Sequence, residues 1–114
     1  MTTPALSRPD WVTVASLAVV AYAISNVVHE GLGHGGACLA VGCTPQLLTS
    51  MAFEGDTASL PASAGRIIAA GGTLANLVLA AVASVALRRA RTASATTWLL
   101  MWLLATISLF QATG

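Results

Sequence analysis

Three long stretches of the chain carry no charge, and polar residues interrupt them at two places only. Trp11 to Val28 is apolar for eighteen residues, long enough to span a bilayer. Asp10, following Pro9, is a good helix cap, and Gly42 with Pro45 supplies a stop, so one helix is expected over 11–41. Ile67 to Leu87 is a second charge-free run, flanked by Arg66 and by Arg88-Arg89-Ala90-Arg91, which predicts a helix over 66–88 with snorkelling basic ends. A third run begins at Thr92, includes Trp98 and Trp102, and predicts a helix over 94–113.

Between the first two runs, residues 42–64 form the extended polar connection. Leu47-Leu48 and Met51-Ala52-Phe53 suggest a short hairpin, with Glu54-Gly55-Asp56 as the turn candidate. Residues 1–10 are polar, contain Pro4 and Pro9, and are expected to form a flexible arm. Ala21-Tyr22-Ala23 resembles a signal-peptidase site behind Arg8, but the weak basic region and the continuing apolar pattern favour an uncleaved span.

The expected fold class is therefore an all-α membrane protein of about three transmembrane helices, with a short, hairpin-bearing polar connection between the first and second. Composition sharpens this. At 56% hydrophobic and 8% charged, the 114 residues cannot supply a soluble domain's charged surface, so a multi-pass protein of the cell membrane, partnered by the lipid bilayer, is expected. A net charge of +1 without a basic stripe excludes nucleic acid as a partner. Positive-inside bias at Arg88–Arg91 places that end in the cytoplasm and the 42–64 connection outside. Cys38 and Cys43 are too few for a disulfide framework and are expected to be one packed and one loop thiol.

Against this background His29-Glu30-Gly31-Leu32-Gly33-His34 stands out. Ionisable groups inside a span are costly, and three within six residues point to function, a metal above all. Neutral imidazoles bind zinc, and a neighbouring carboxylate can serve as general base. Histidines four apart share a helix face; five apart, they diverge by about 140° on a regular α-helix. A π-bulge would restore the shared face, and Gly31 and Gly33 free the backbone to form one. Alternatively a regular helix would gather Asn26, Glu30 and His34 on one polar face, suited to a metal or a proton relay. Gly31 and Gly35 also form a small-xxx-small pair for close helix approach, and Gly72 would do the same beside Asn76. Asn76, an amide in mid-span, reads in isolation as helix–helix glue.

Taken with Gly72-Thr73-Leu74-Ala75-Asn76 on the next helix, this stretch resembles the site-2 protease family of intramembrane zinc metallopeptidases. That family carries H-E-x-x-H on one membrane helix, then a hairpin-bearing connection, then a helix with a G-P-x-x-N-like motif. The match covers roughly 22–42 and 65–87. The resemblance implies a zinc cofactor, His29 and His34 as ligands, Glu30 as general base, and Asn76 positioning substrate or stabilising the oxyanion. Its substrate would be a membrane-embedded peptide. A similar H-E-x-x-x-H occurs in the soluble dipeptidyl peptidase III enzymes, so the longer spacing is compatible with zinc.

The chain departs from the family in having Thr73 in place of proline and no acidic residue after Arg91 to provide the family's Asp-Gly ligand. The expectation is thus a fragment, incomplete at its C-terminus and lacking the third ligand. Family orientation is opposite to the one the arginines imply. The alternative is a non-catalytic multi-pass protein, a degenerate relative or a subunit, whose polar helix face binds a metal, protons or a partner helix.

Overall fold

The computed structural model describes residues 10–90 and 92–113; the arm expected over 1–10, apart from Asp10, and Arg91 of the arginine cluster lie outside the described residues. The elements in order are α1 (Trp11–Val27), a π-helical segment (Val28–Gly35), α2 (Gly36–Ala40), β1 (Thr44–Leu48), β2 (Phe53–Asp56), α3 (Ala62–Arg89) and α4 (Ala95–Ala112).

Asp10 caps α1 through the Thr13 N–H at 2.8 Å. That backbone hydrogen bond, with a second from the Thr13 hydroxyl, holds the Asp10 carboxyl below its ordinary range. Helical backbone then continues through the π segment to Ala40, and Gly42 ends it at φ +80°, a left-handed conformation that glycine adopts without a Cβ penalty. Trp11–Ala40, Ala62–Arg89 and Ala95–Ala112 are all long and apolar enough to cross a membrane. The middle one starts at Ala62, earlier than the apolar run alone predicts, because Pro61 is extended and sits just before the first turn, where its missing N–H costs nothing.

Packing follows what a bilayer requires. Large side chains such as Val19, Leu39, Val78, Val82 and Phe110 face outward, while small ones face inward. A compact cluster of Ala21, Ala83 and Leu104, backed by Leu79, Leu100 and Ile107, joins the three long helices toward the arginine-bearing end. Nearer the hairpin the helices approach more closely still. A Cβ on Gly33 would stand 2.6 Å from Gly72 Cα and 2.8 Å from Gly71 O, so the π segment and α3 cross backbone to backbone.

Two expectations about the connection are corrected. Glu54-Gly55-Asp56 is not the turn; it lies in β2, and the hairpin reverses at 49–52, where Thr49 N donates to Ala52 O at 2.8 Å and the Thr49 hydroxyl accepts from Met51 N. The cysteines are not separate thiols; Cys38 and Cys43 form a disulfide with Cα atoms 4.8 Å apart. These corrections share a cause. Gly55 is needed where it is because a Cβ there would meet Cys43 Sγ at 2.7 Å and Cys38 Sγ at 3.0 Å. The antiparallel pairing sets Pro45 opposite Gly55 and bulges at Gln46, laying β2 over the disulfide.

Candidate metal centre

The five-residue histidine spacing is met by π-helical backbone, as the spacing requires. Gly36 N–H reaches back to Gly31 O, an i→i−5 bond, and residues five apart come to lie on one face. The regular-helix alternative, with Asn26, Glu30 and His34 on one face, does not form; Asn26 instead accepts from Gln111 Nε2 at 2.6 Å. The π turn brings the His29 and His34 Nε2 atoms to 3.2 Å, with the rings edge to face. The ligating atoms of His29, Glu30 and His34 all lie within 4.8 Å of one another, and all three residues are half-buried.

The partners of the two imidazoles come from α3. His34 Nδ1 lies 2.7 Å from Ile68 O, and since a carbonyl can only accept, His34 donates from Nδ1 and turns its Nε2 lone pair toward His29. His29 Nδ1 lies 2.9 Å from Asn76 Nδ2, and Asn76 is fully buried. Gly72 forms the floor. A Cβ there would stand 2.5 Å from His29 Nε2 and 2.7 Å from His34 Nε2, occupying the space between the imidazole nitrogens and α3. Phe53 of β2 lies over His34 in a stacked arrangement with ring centres 6.4 Å apart. Gly31, by contrast, has only Leu48 Cδ2 near it, at 3.9 Å, so no close approach depends on it.

No protein-family model, curated protein or solved structure matches the chain. The site's meaning therefore rests on its own geometry. Two Zn–N bonds of about 2.0–2.1 Å at a tetrahedral angle put the nitrogens about 3.3 Å apart, and the observed separation is 3.2 Å. Anchoring one imidazole through Nδ1–H to a backbone carbonyl, as His34 is anchored, is the usual outer support of a metal-ligating histidine. The residues present fit a metal.

Sequence reasoning missed Ser25, Ser108 and Gln111. The Ser25 hydroxyl lies 3.0 Å from Ser108 Oγ and donates to Gln111 Oε1, while Asn76 Nδ2 donates to Gln111 Oε1 at 3.3 Å. The available signal was a hydroxyl on α1 and a hydroxyl and an amide on α4, within otherwise apolar helices. Only their convergence on Asn76 distinguishes them from ordinary helix glue, and every buried side-chain polar atom among the described residues has a partner.

Proposed function

We propose that this chain carries the histidine-bearing half of an intramembrane zinc metallopeptidase, a multi-pass protein of the cell membrane that cleaves membrane-embedded peptides. The observation that carries the reading is the π-helical segment that brings two histidines five residues apart to 3.2 Å, beside a carboxylate and inside an apolar helix. A π turn opens the helix and forfeits regular hydrogen bonding, so it tends to persist where function requires it.

His29 and His34 would hold the zinc through their Nε2 atoms. Zinc bound there supplies Lewis acidity to a water and to the substrate carbonyl. Glu30, in the same turn, takes the proton of the attacking water and delivers it to the leaving amine. The His34 Nδ1–H bond to Ile68 O fixes that ring, and Gly72 leaves room beside both nitrogens. An apolar groove of about 580 Å³, lined by Val28, Leu32, Gly33, Gly71, Leu74 and Val78, runs along the same crossing and suits a membrane-embedded peptide. Asn76, implied by resemblance to act on substrate or oxyanion, stands one hydrogen bond behind His29, and would support it as a zinc ligand with its amide turned to present Oδ1 to Nδ1–H. A catalytic zinc takes three protein ligands; His29 and His34 would supply two, and Glu30 is the carboxylate that stands with them among the described residues.

One observation favours the non-catalytic reading: the two imidazoles, Asn76 and Ile68 O satisfy one another without any ligand. Metal analysis of the detergent-purified chain, with His29→Ala, His34→Ala and Glu30→Gln, separates the two. The metallopeptidase reading expects about one zinc per chain, lost in both histidine variants and kept in Glu30→Gln. Protein free of transition metal after purification in zinc-supplemented buffer would overturn it. Where peptide cleavage is measured, Glu30→Gln should abolish it, whereas a non-catalytic role survives that change.

A further inference from the structure

Beside α4, the third helix element presents a second groove, and it shares no residue with the groove along the metal centre. It lies between α3 and α4 and holds about 680 Å³, within the range of about 300–1,000 Å³ usual for ligand sites. The small side chains of Ala81, Ser84 and Ala105 leave the space, and Leu77, Trp102 and Phe110 stand around it. The threonine hydroxyls of its lining are turned to their own helix. Thr106 donates to Trp102 O at 2.8 Å and Thr113 to Phe110 O at 2.7 Å, so the α4 wall offers an occupant alkyl and aromatic surface.

Length and charge identify the occupant. From Leu77 to Leu87 the groove follows α3 for about 15 Å, half of a hydrocarbon core of about 30 Å. A partner helix crossing the membrane would need the full thickness, whereas an acyl chain from one leaflet needs only the half. Arg88 stands where the groove ends. It lies four residues past Ser84 and seven past Ala81, so it continues the same face of the helix, and it is exposed. Arg89 is turned about 100° away, toward the face that carries the other groove. On α4, Trp98 lies one turn before Trp102 and is half exposed, a residue type that sits at headgroup depth. Glu30, Glu54 and Asp56 belong to the opposite half of the molecule, and Asp10 is engaged by Thr13 through both oxygens. The anion that Arg88 meets therefore comes from the membrane.

We propose that this groove binds one anionic phospholipid, with an acyl chain lying between α3 and α4 and the phosphate paired with Arg88. A guanidinium takes a phosphate through two parallel hydrogen bonds, which fixes the headgroup where the groove begins. Basic residues at the mouth of a seam between membrane helices are a recurrent way of holding anionic headgroups. The lipid comes from the leaflet that meets the arginine end, so the site does not depend on which side of the membrane that is. Nor does it depend on the zinc reading, because no residue of the metal centre takes part.

The test uses the full chain, one copy per phosphatidylcholine nanodisc, with Trp11→Phe and Trp98→Phe so that Trp102 is the only indole. Phosphatidylglycerol or phosphatidylcholine brominated at mid-chain is then added at rising mole fraction, and it quenches Trp102 fluorescence on contact. Phosphatidylglycerol is expected to reach half-quenching at a mole fraction about fivefold lower, the weight of one basic residue at a membrane surface. Arg88→Gln should remove that preference and Arg88→Lys should keep most of it. Arg89→Gln loses the same charge on the neighbouring face and should leave the preference intact. Both arginines are exposed, so neither change threatens the fold. Equal quenching by the two lipids would show ordinary boundary lipid and overturn the proposal. Equal effects of Arg88→Gln and Arg89→Gln would do the same, by showing diffuse attraction without a site. Quenching that disappears when two copies share a disc would make a second copy the occupant, and the lipid site would fail.

Discussion

Glycine positions in this chain carry different demands, and the space around each says which. At Gly33 an added methyl would press into Gly72 Cα and Gly71 O, backbone atoms that move only if the helices separate. At Gly72 it would press into the Nε2 ends of His29 and His34, side chains that can swing aside at the expense of the site. At Gly36 it would meet nothing within 4 Å. Three alanine substitutions should therefore separate packing from chemistry. Gly33→Ala is expected to lose about 1–3 kcal/mol of stability, the usual cost of overpacking, and to lower the thermal midpoint. Gly72→Ala should keep most of its stability but lose zinc. Gly36→Ala should match the parent in both thermal unfolding and metal content. Equal behaviour of the three would mean that the crossing is looser than its distances imply. The role of Gly72 was legible from residue type and spacing, since a small residue one turn from a mid-span amide announces a close crossing; on the first helix the spacing pointed to Gly31 and Gly35, and it is Gly33 that meets α3 backbone to backbone. Which glycine faces backbone and which faces imidazole was not legible, because that depends on the rotation of one helix against another.

At the scale of elements, the three helices were readable because a bilayer demands long uncharged runs and the chain supplies three, each bounded by charge, proline or glycine. The π segment was readable for a stricter reason: residues five apart cannot share an ion on an α-helix, and Gly31 and Gly33 offered a backbone able to adapt. The connection was less legible. Glu54-Gly55-Asp56 has turn composition, yet Gly55 is spent on the disulfide, and the reversal falls to Thr49, whose hydroxyl joins the turn. The disulfide itself was hidden because a spacing of five places two cysteines together only once Gly42 has turned the chain. By loop-closure reasoning such a short link contributes about 2 kcal/mol, here to the order of the hairpin. Changing both cysteines to serine should quicken proteolysis in the 49–52 turn. Zinc content should stay unchanged, because Ile68 O and Asn76 on α3, not the hairpin, hold the imidazoles. Loss of zinc in that variant would show instead that Phe53, over His34, helps to keep the ring in place.

Taken as a whole, the molecule has two chemically distinct ends, and both bear on an orientation that sequence patterns left in conflict. Arg88 and Arg89 close α3 at one end, and positive charge flanking a span favours the cytoplasmic side. The hairpin lies at the other end of α3 and is stapled to the first helix by Cys38–Cys43. Disulfides persist in oxidising compartments and are rare in the cytosol, so the staple independently predicts the hairpin on the outer side. Both observations oppose the orientation that the site-2 protease resemblance implies, and they are physical where the resemblance is by analogy. The His29–His34 pair lies between the ends of its span, nearer the hairpin, so peptide and metal would reach it from the outer leaflet. Single cysteines placed at Ala58, in the exposed loop after β2, and at Ala90, just past α3, test this in intact cells. A membrane-impermeant maleimide should label Ala58→Cys without permeabilisation and Ala90→Cys only after it. The native pair, held as a disulfide, should stay unlabelled in both. The reverse pattern would put the hairpin in a reducing compartment and leave the disulfide without a reason to persist. It would also agree with the orientation that the site-2 protease resemblance implies.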